Sequence, residues 1–237
     1  MTTAVSDRKP AIRAIGLQKS YISGGARALV LSDVNFEAMA GEMTMVIGRS
    51  GSGKSTLLAA VSGLLRPDKG EVTALGEDLW RMADTRIDAF RLRNCGFVFQ
   101  GFNLFPALNA LEQVALVVRY LGFSRKEARE RARAALDEVG LSGKLALHPA
   151  EMSGGEKQRV AIARALVKEP SLVFADEPSS ALDSENAARI IELLRNASRN
   201  RNAAVIVVTH DAKLQQSADR IVEMVDGRVV QPEPFPA

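Results

Sequence analysis

Short β-branched runs alternate along this chain with stretches in which apolar residues recur every three or four positions. Residues 12–17 and 34–38 predict strands, the first running on toward Tyr21. Residues 43–47, MTMVI, form a short apolar run closed by Gly48, with a helix expected from Lys54. Residues 71–74 and 96–99 predict two further strands. The pattern then changes: between about 109 and 168 it predicts helices over 109–120 and 125–139 and a third after Ser153, with no convincing strand. Alternation resumes with a buried strand at 172–175, a helix at 184–200 and a buried strand at 204–209. Residues 220–225 and 228–230 flank Asp226-Gly227, a hairpin turn signal.

Strand–helix alternation predicts a mostly parallel sheet covered by helices, and the helical middle predicts an inserted subdomain. The proline-rich end, QPEPFPA, predicts a flexible tail, and no internal repeat is visible. At 237 residues the chain can form one full core with a modest satellite.

Charge changes this picture little. A formal net charge of +3 is too small to imply nucleic acid unless it is clustered, so no nucleic-acid partner is expected. The densest basic stretch, SRKEARERAR at 124–133, mixes both signs and carries a helical apolar face, as a solvated helix does. Cys95 is the single cysteine, which excludes an internal disulfide and fits a reducing compartment. The opening residues lack the apolar core of a signal peptide, and no apolar run approaches the roughly 20 residues of a membrane helix. The expectation is a cytoplasmic protein unless a partner holds it at a membrane.

The candidate chemistry starts at Gly48-Arg49-Ser50-Gly51-Ser52-Gly53-Lys54-Ser55, which fits G-x-x-x-x-G-K-[ST] between a predicted strand and a predicted helix. Glycines let the backbone wrap phosphates with inward N–H groups, and the helix start adds the positive end of its dipole. Lys54 supplies a point charge for β- and γ-phosphates, and the Ser55 hydroxyl is a natural Mg²⁺ ligand. A glycine-rich turn with a chance lysine is the plainer reading, and the flanking strand and helix count against it. Strand 172–175 runs into Asp176-Glu177; adjacent acids at the end of an apolar strand are costly without a use. Asp176 can hold Mg²⁺ through its water shell, and Glu177 can take a proton from an attacking water. His210 ends another apolar strand, where spacing alone leaves a structural role and a γ-phosphate role equally open.

Met152-Ser153-Gly154-Gly155-Glu156-Lys157-Gln158-Arg159 resembles the signature motif of ABC-transporter ATPases, with Met where Leu is usual. Gln100 in FVFQ resembles the Q-loop, Ser180-Ala181-Leu182-Asp183 the D-loop, His210 the switch histidine and Tyr21 the aromatic that stacks on adenine. The resemblance runs from about residue 12 to 230. It implies an α/β fold: a P-loop NTPase core with a mostly parallel sheet, an N-terminal antiparallel β region and an inserted α-helical subdomain. It divides one ABC ATPase domain into a core at about 11–100 and 170–231 and a helical part at about 101–169, with a flexible 232–237. ATP and Mg²⁺ are the implied ligands, with Thr56 joining the nucleotide-binding set and Gln100 joining Ser55 and Asp176 at the metal.

The same resemblance implies two copies packed head to tail, so that Ser153, Gly154, Gly155 and Asp183 serve the partner's ATP. It also implies a separate integral-membrane permease, contacted through residues 101–114, which would place the chain on the cytoplasmic face of the membrane. Phe102, Leu104, Phe105 and Leu108 are either that contact or internal packing. Arg49 stands where relatives often have Pro, and it faces either solvent or the partner copy. The stretch YISGGARALV at 21–30 is similar to ATPases of macrolide-exporter and lipoprotein-release systems, whereas FNLFP at 102–106 also occurs in polar amino-acid importers. The export or mechanotransmission type is expected, with an importer, or a regulator of a membrane partner as in cell division, as alternatives.

Overall fold

The computed structural model describes residues 9–180 and 182–230. The N-terminal stretch at 1–8, the tail expected to be flexible, and Ala181 of the D-loop-like segment lie outside the described residues. Two sheets organise the rest. In the smaller, β1 (Ile12–Ser23) and β2 (Ala26–Ala38) form a long hairpin about Gly24-Gly25, and β4 (Lys69–Ala74) and β5 (Glu77–Asp78) complete the order β2-β1-β4-β5. Every pairing within it is antiparallel, as expected for the N-terminal β region.

The larger sheet has the order β10-β9-β3-β8-β7-β6. Its strands are β3 (Met43–Ile47), β6 (Cys95–Val98), β7 (Leu172–Asp176), β8 (Ala204–Thr209), β9 (Arg220–Val225) and β10 (Arg228–Val230). Only the terminal β9–β10 hairpin is antiparallel. All six residues of β8 are buried, which is why this strand reads as an unbroken apolar run. Alternation still decides which face each side chain meets. Val205 and Val207 join one core with Met43, Met45 and Val173; Ala204, Ile206 and Val208 join the other with Val46, Leu172 and Phe174. The second core is closed by α1 (Lys54–Val61) and the inner face of β1 and β2.

Between β6 and β7 the chain forms α3 (Ala110–Tyr120), α4 (Arg125–Glu138) and α5 (Gly154–Leu166). Each opens with a reciprocal capping box: Asn109 with Glu112, Ser124 with Glu127, and Ser153 with Glu156. These local signals explain why the three helices begin where the pattern places them. Helix α6 (Ser184–Arg201) then leads into β8.

Two elements differ from expectation. Helix α2 (Asp84–Asn94) has no counterpart in the sequence pattern, because Ile87 and Phe90 are its only buried residues. Residues 26–30, where no strand is predicted, are the second arm of the hairpin. Arg27, Ala28 and Leu29 are all exposed, so no period-2 burial marks them as a strand.

Candidate nucleotide site

Because β3, β6, β7 and β8 are parallel, their C-terminal ends meet at one edge of the sheet, where ligands of open α/β sheets bind. Four chain segments leave that edge: residues 48–53 after β3, Gln100 after β6, Asp176-Glu177 at the end of β7, and His210 after β8. A cleft of about 570 Å³ opens there. It is lined by Ser50, Gly51, Gly53, Lys54, Ser55 and Thr56 from the loop and helix, by Gln100, Glu177 and His210, and by Tyr21 and Val30 from the hairpin.

The loop approaches its surroundings closely. A Cβ on Gly48 would lie 2.3 Å from the Met224 carbonyl oxygen, so no side chain fits there. Lys54 is buried, and its ammonium donates to the carbonyls of Gly48 at 2.8 Å and Arg49 at 2.9 Å. The charge is thereby held over the loop's own backbone. Helix α1 starts without a side-chain cap, which leaves its first N–H groups to an anion. Arg49 is exposed, and its carbonyl makes its contact with Lys54.

A brace comes from the far end of the chain. Gly227 N–H donates to the Ser52 carbonyl at 3.1 Å, and Ser32 N–H donates to the Gly227 carbonyl at 2.8 Å. A Cβ on Gly227 would lie 2.4 Å from the Val30 carbonyl oxygen, and its φ of 74° suits glycine. The Asp226-Gly227 signal thus marks a turn that also props the phosphate loop and β2.

Ser55 Oγ donates to Asp176 Oδ1 at 2.9 Å across 121 residues of sequence. Burial raises the Asp176 carboxyl above its ordinary value and neighbouring Glu177 adds to this, against the Ser55 hydrogen bond and the Lys54 charge. A half-buried pair of acids beside a hydroxyl is a set of hard oxygen donors whose repulsion a divalent cation relieves. These oxygen donors fit a hard divalent cation such as Mg²⁺.

Glu177 adopts φ 47°, a left-handed conformation that costs energy in a residue with a Cβ. Its N–H donates to the Val208 carbonyl at 2.9 Å, and its own carbonyl accepts from Ser180. These bonds hold the strained turn and aim the side chain into the cleft. His210 Nδ1 lies 2.9 Å from Glu177 Oε1, while Oε2 is buried with no hydrogen-bond partner. A carboxylate with one oxygen engaged and one free is suited to accept a proton.

Four predicted nucleotide contacts lie elsewhere. Ser153, Gly154 and Gly155 form the start of α5 and do not line the cleft. There the Ser153 hydroxyl accepts from Glu156 N–H at 3.3 Å, Glu156 accepts from Ser153 N–H at 2.8 Å, and Lys144 pairs with Glu156. Asp183 is the N-cap of α6, accepting from Asn186 N–H at 2.9 Å and Asn186 Nδ2 at 2.7 Å. A Cβ on Gly155 would lie 3.7 Å from Leu182 Cδ2 and 3.8 Å from Asn186 Cγ, so the two helix starts are neighbours.

The segment after Gln100 is clamped by two side chains, buried Gln113 and half-buried Arg164. Gln113 donates to the carbonyls of Phe105 and Leu108 and accepts from Phe105 N–H. Arg164 donates to the carbonyls of Phe102 and Asn103, both in left-handed conformations. Of the four apolar residues singled out there, Phe105 is exposed, Leu104 packs against the core, and Phe102 and Leu108 are half-buried. Sequence reasoning missed Val30 as a cleft residue; it follows the exposed run 27–29, where β2 shows no alternating burial.

A backbone cradle and lysine at the end of β3, with acids at the end of β7 two strands along the same sheet, define a P-loop ATPase. Comparison with known proteins narrows this class. The family model described as ABC transporter matches residues 31–180, and the chain belongs to that family as an ATP-binding subunit. A lipoprotein-releasing system ATP-binding protein LolD from Syntrophotalea carbinolica is 44% identical over 92% of this chain and 96% of its own length. A putative hemin import ATP-binding protein HrtA from Staphylococcus haemolyticus is 40% identical over 90% of this chain and 96% of its own. Among solved structures, the dimeric ATP-binding cassette MJ0796, in a post-hydrolysis state bound to ADP and Pi, superposes with a TM-score of 0.89. It is 36% identical, covering 95% of this chain and 99% of that one.

Proposed function

We propose that this ATPase works as a head-to-tail dimer and drives an integral-membrane permease of the export or mechanotransmission type. Tyr21 carries the adenine; residues 48–56 carry the phosphates; Gln100 senses the γ-phosphate and the metal. Ser55, Asp176 and Gln100 would hold Mg²⁺, which would supply charge neutralisation for the phosphates. Glu177 takes the proton from the attacking water, and His210 orients Glu177 and meets the γ-phosphate.

The observation that carries this reading is the division of the phosphate-binding groups. The cleft gathers Lys54, Ser55, Glu177 and His210, while the start of α5, with exposed Ser153, does not line that cleft. In the head-to-tail dimer Ser153, Gly154, Gly155 and Asp183 of one copy complete the ATP site of the other. The ATPase core spans about 11–100 and 170–231, and the helical part spans about 101–169.

No helix among the described residues is long and apolar enough to cross a membrane. The permease therefore holds the chain at the cytoplasmic face, through the clamped segment around exposed Phe105. The LolD relative's name favours a release system, and the HrtA relative's name speaks of hemin import, which is not the polar amino-acid import of the alternative reading.

The test is a pull-down of Glu177→Gln from detergent-solubilised native membranes with ATP and Mg²⁺, read by mass spectrometry. A permease with few membrane helices and a large extracytoplasmic domain is the expected catch. An importer-type permease with a binding protein would replace the export reading, and a soluble dimer with no membrane protein would end the transport reading.

A further inference from the structure

Tyr21 stands on the least supported part of the smaller sheet. Pairing of β1 with β4 stops at Gln18 opposite Lys69, and pairing with β2 shifts register on both sides of Lys19. Beyond that irregularity β1 has only β2 beside it, and a two-stranded ribbon is marginal by itself. The ribbon nonetheless carries a side chain that lines the cleft, Tyr21, a residue 43% exposed.

Asp68, in the loop between α1 and β4, ties this ribbon down. Its Oδ2 accepts from Ser20 N–H at 2.8 Å and from Arg27 Nη2 at 3.3 Å; its Oδ1 accepts from Lys19 Nζ at 3.0 Å. Asp68 N–H in turn donates to the Gln18 carbonyl at 2.8 Å. Lys19 Nζ also reaches the Arg66 carbonyl at 2.9 Å and stands 6.0 Å from the Tyr21 ring centroid. One carboxylate therefore holds both arms of the hairpin, at the register break, to the loop following the helix that begins with Lys54. The Lys19 and Ser20 hydrogen bonds also hold the Asp68 carboxyl down at about 2, so it is ionised at neutral pH.

We propose that Asp68 is a positioning residue for nucleotide binding: it fixes Tyr21 relative to the phosphate loop, so that base and triphosphate meet one rigid frame. This rests on the reading of Tyr21 as the adenine platform. A stacking surface adds affinity only to the extent that it is already in place before the ligand arrives. Asp68 does not line the cleft and acts through Ser20, Lys19 and Arg27.

The test compares dissociation constants for ATP and for inorganic tripolyphosphate, both with Mg²⁺, by calorimetry on the full chain. Tyr21→Ala should weaken ATP about tenfold and leave tripolyphosphate unchanged, since only ATP has a base to stack. Asp68→Ala should weaken ATP about fivefold, also without effect on tripolyphosphate, and the double variant should bind no more weakly than Tyr21→Ala alone. Asp68→Asn, of the same shape, should fall between and carries the test if the alanine variant does not fold. Equal weakening of both ligands by the Asp68 variants, or losses that multiply in the double variant, would overturn the positioning role. ATP binding unchanged in Tyr21→Ala would instead remove the adenine platform on which the inference stands.

Discussion

The cleft at the strand ends and the start of α5 both offer helix N-termini to an anion, yet they are put together in opposite ways. Around α1 the pieces come from four strand ends and from the β9–β10 turn, and the Ser55–Asp176 contact alone spans 121 residues. Around α5 the key contacts are three residues apart, Ser153 with Glu156, and nothing of the cleft faces them. The helix start of the cleft is uncapped; that of α5 carries a capping box that occupies the Ser153 and Glu156 N–H groups, with Ser153 itself exposed. A region built from long-range contacts can assemble a nearly complete site within one chain. A region built from local contacts is stable as a surface and finds its complement in another molecule, here by proposal the second copy.

The largest effect should come from Glu177→Gln. Removing the proton acceptor should lower kcat roughly 10³-fold while the ATP dissociation constant stays within about twofold. Normal turnover by the purified variant would remove Glu177 as the base. Next, Ser153→Arg should lower dimer hydrolysis on the order of 10²-fold, with nucleotide binding to the monomer unchanged. Mixed with Lys54→Ala, it should recover activity, because one site of each heterodimer keeps both intact halves. Heterodimers that form and stay inactive would break the comparison at its centre. Lys54→Ala alone should weaken ATP binding roughly fiftyfold by removing the buried charge that meets the phosphates, as titration of a fluorescent nucleotide would report.

The smallest effect sharpens the local side of the comparison. The Lys144 ammonium and Ser153 N–H hold the Glu156 carboxyl at about 2, below its ordinary 4.5. A depressed carboxylate contributes stability that is fully present above its unfolded value and lost as pH falls through the folded one. Glu156→Gln should therefore lower stability at pH 7 by about 1 kcal/mol, the scale of a lost helix cap. The difference from the parent should shrink between pH 4.5 and 2, measured by urea unfolding. A pH-independent difference would assign the loss to packing instead.

Legibility along the chain follows the same division. The three capped helices and the buried strands of the larger sheet were readable, because capping boxes and apolar runs are local signals. Helix α2 and the arm at 26–30 were not, because each buries too few side chains to leave a period. At the site, the chemical identity of Lys54, Ser55, Asp176 and Glu177 was evident from the motifs. The left-handed backbone of Glu177, the Gly227 brace and the Asp68 clamp were invisible, since each depends on groups distant in sequence.

By itself, the amino-acid sequence indicated most strands and helices (though not α2 or the arm at 26–30), where α3 to α5 begin, and which residues are candidates for phosphate, metal and proton chemistry. Those properties reside in local patterns and in side-chain type. Tertiary structure alone decided that Ser55 meets Asp176, that His210 meets Glu177, and that Ser153 stands apart from both. The physical reason is the parallel sheet: its strand order brings distant strand ends to one edge, and pleat and register then set which side chains touch.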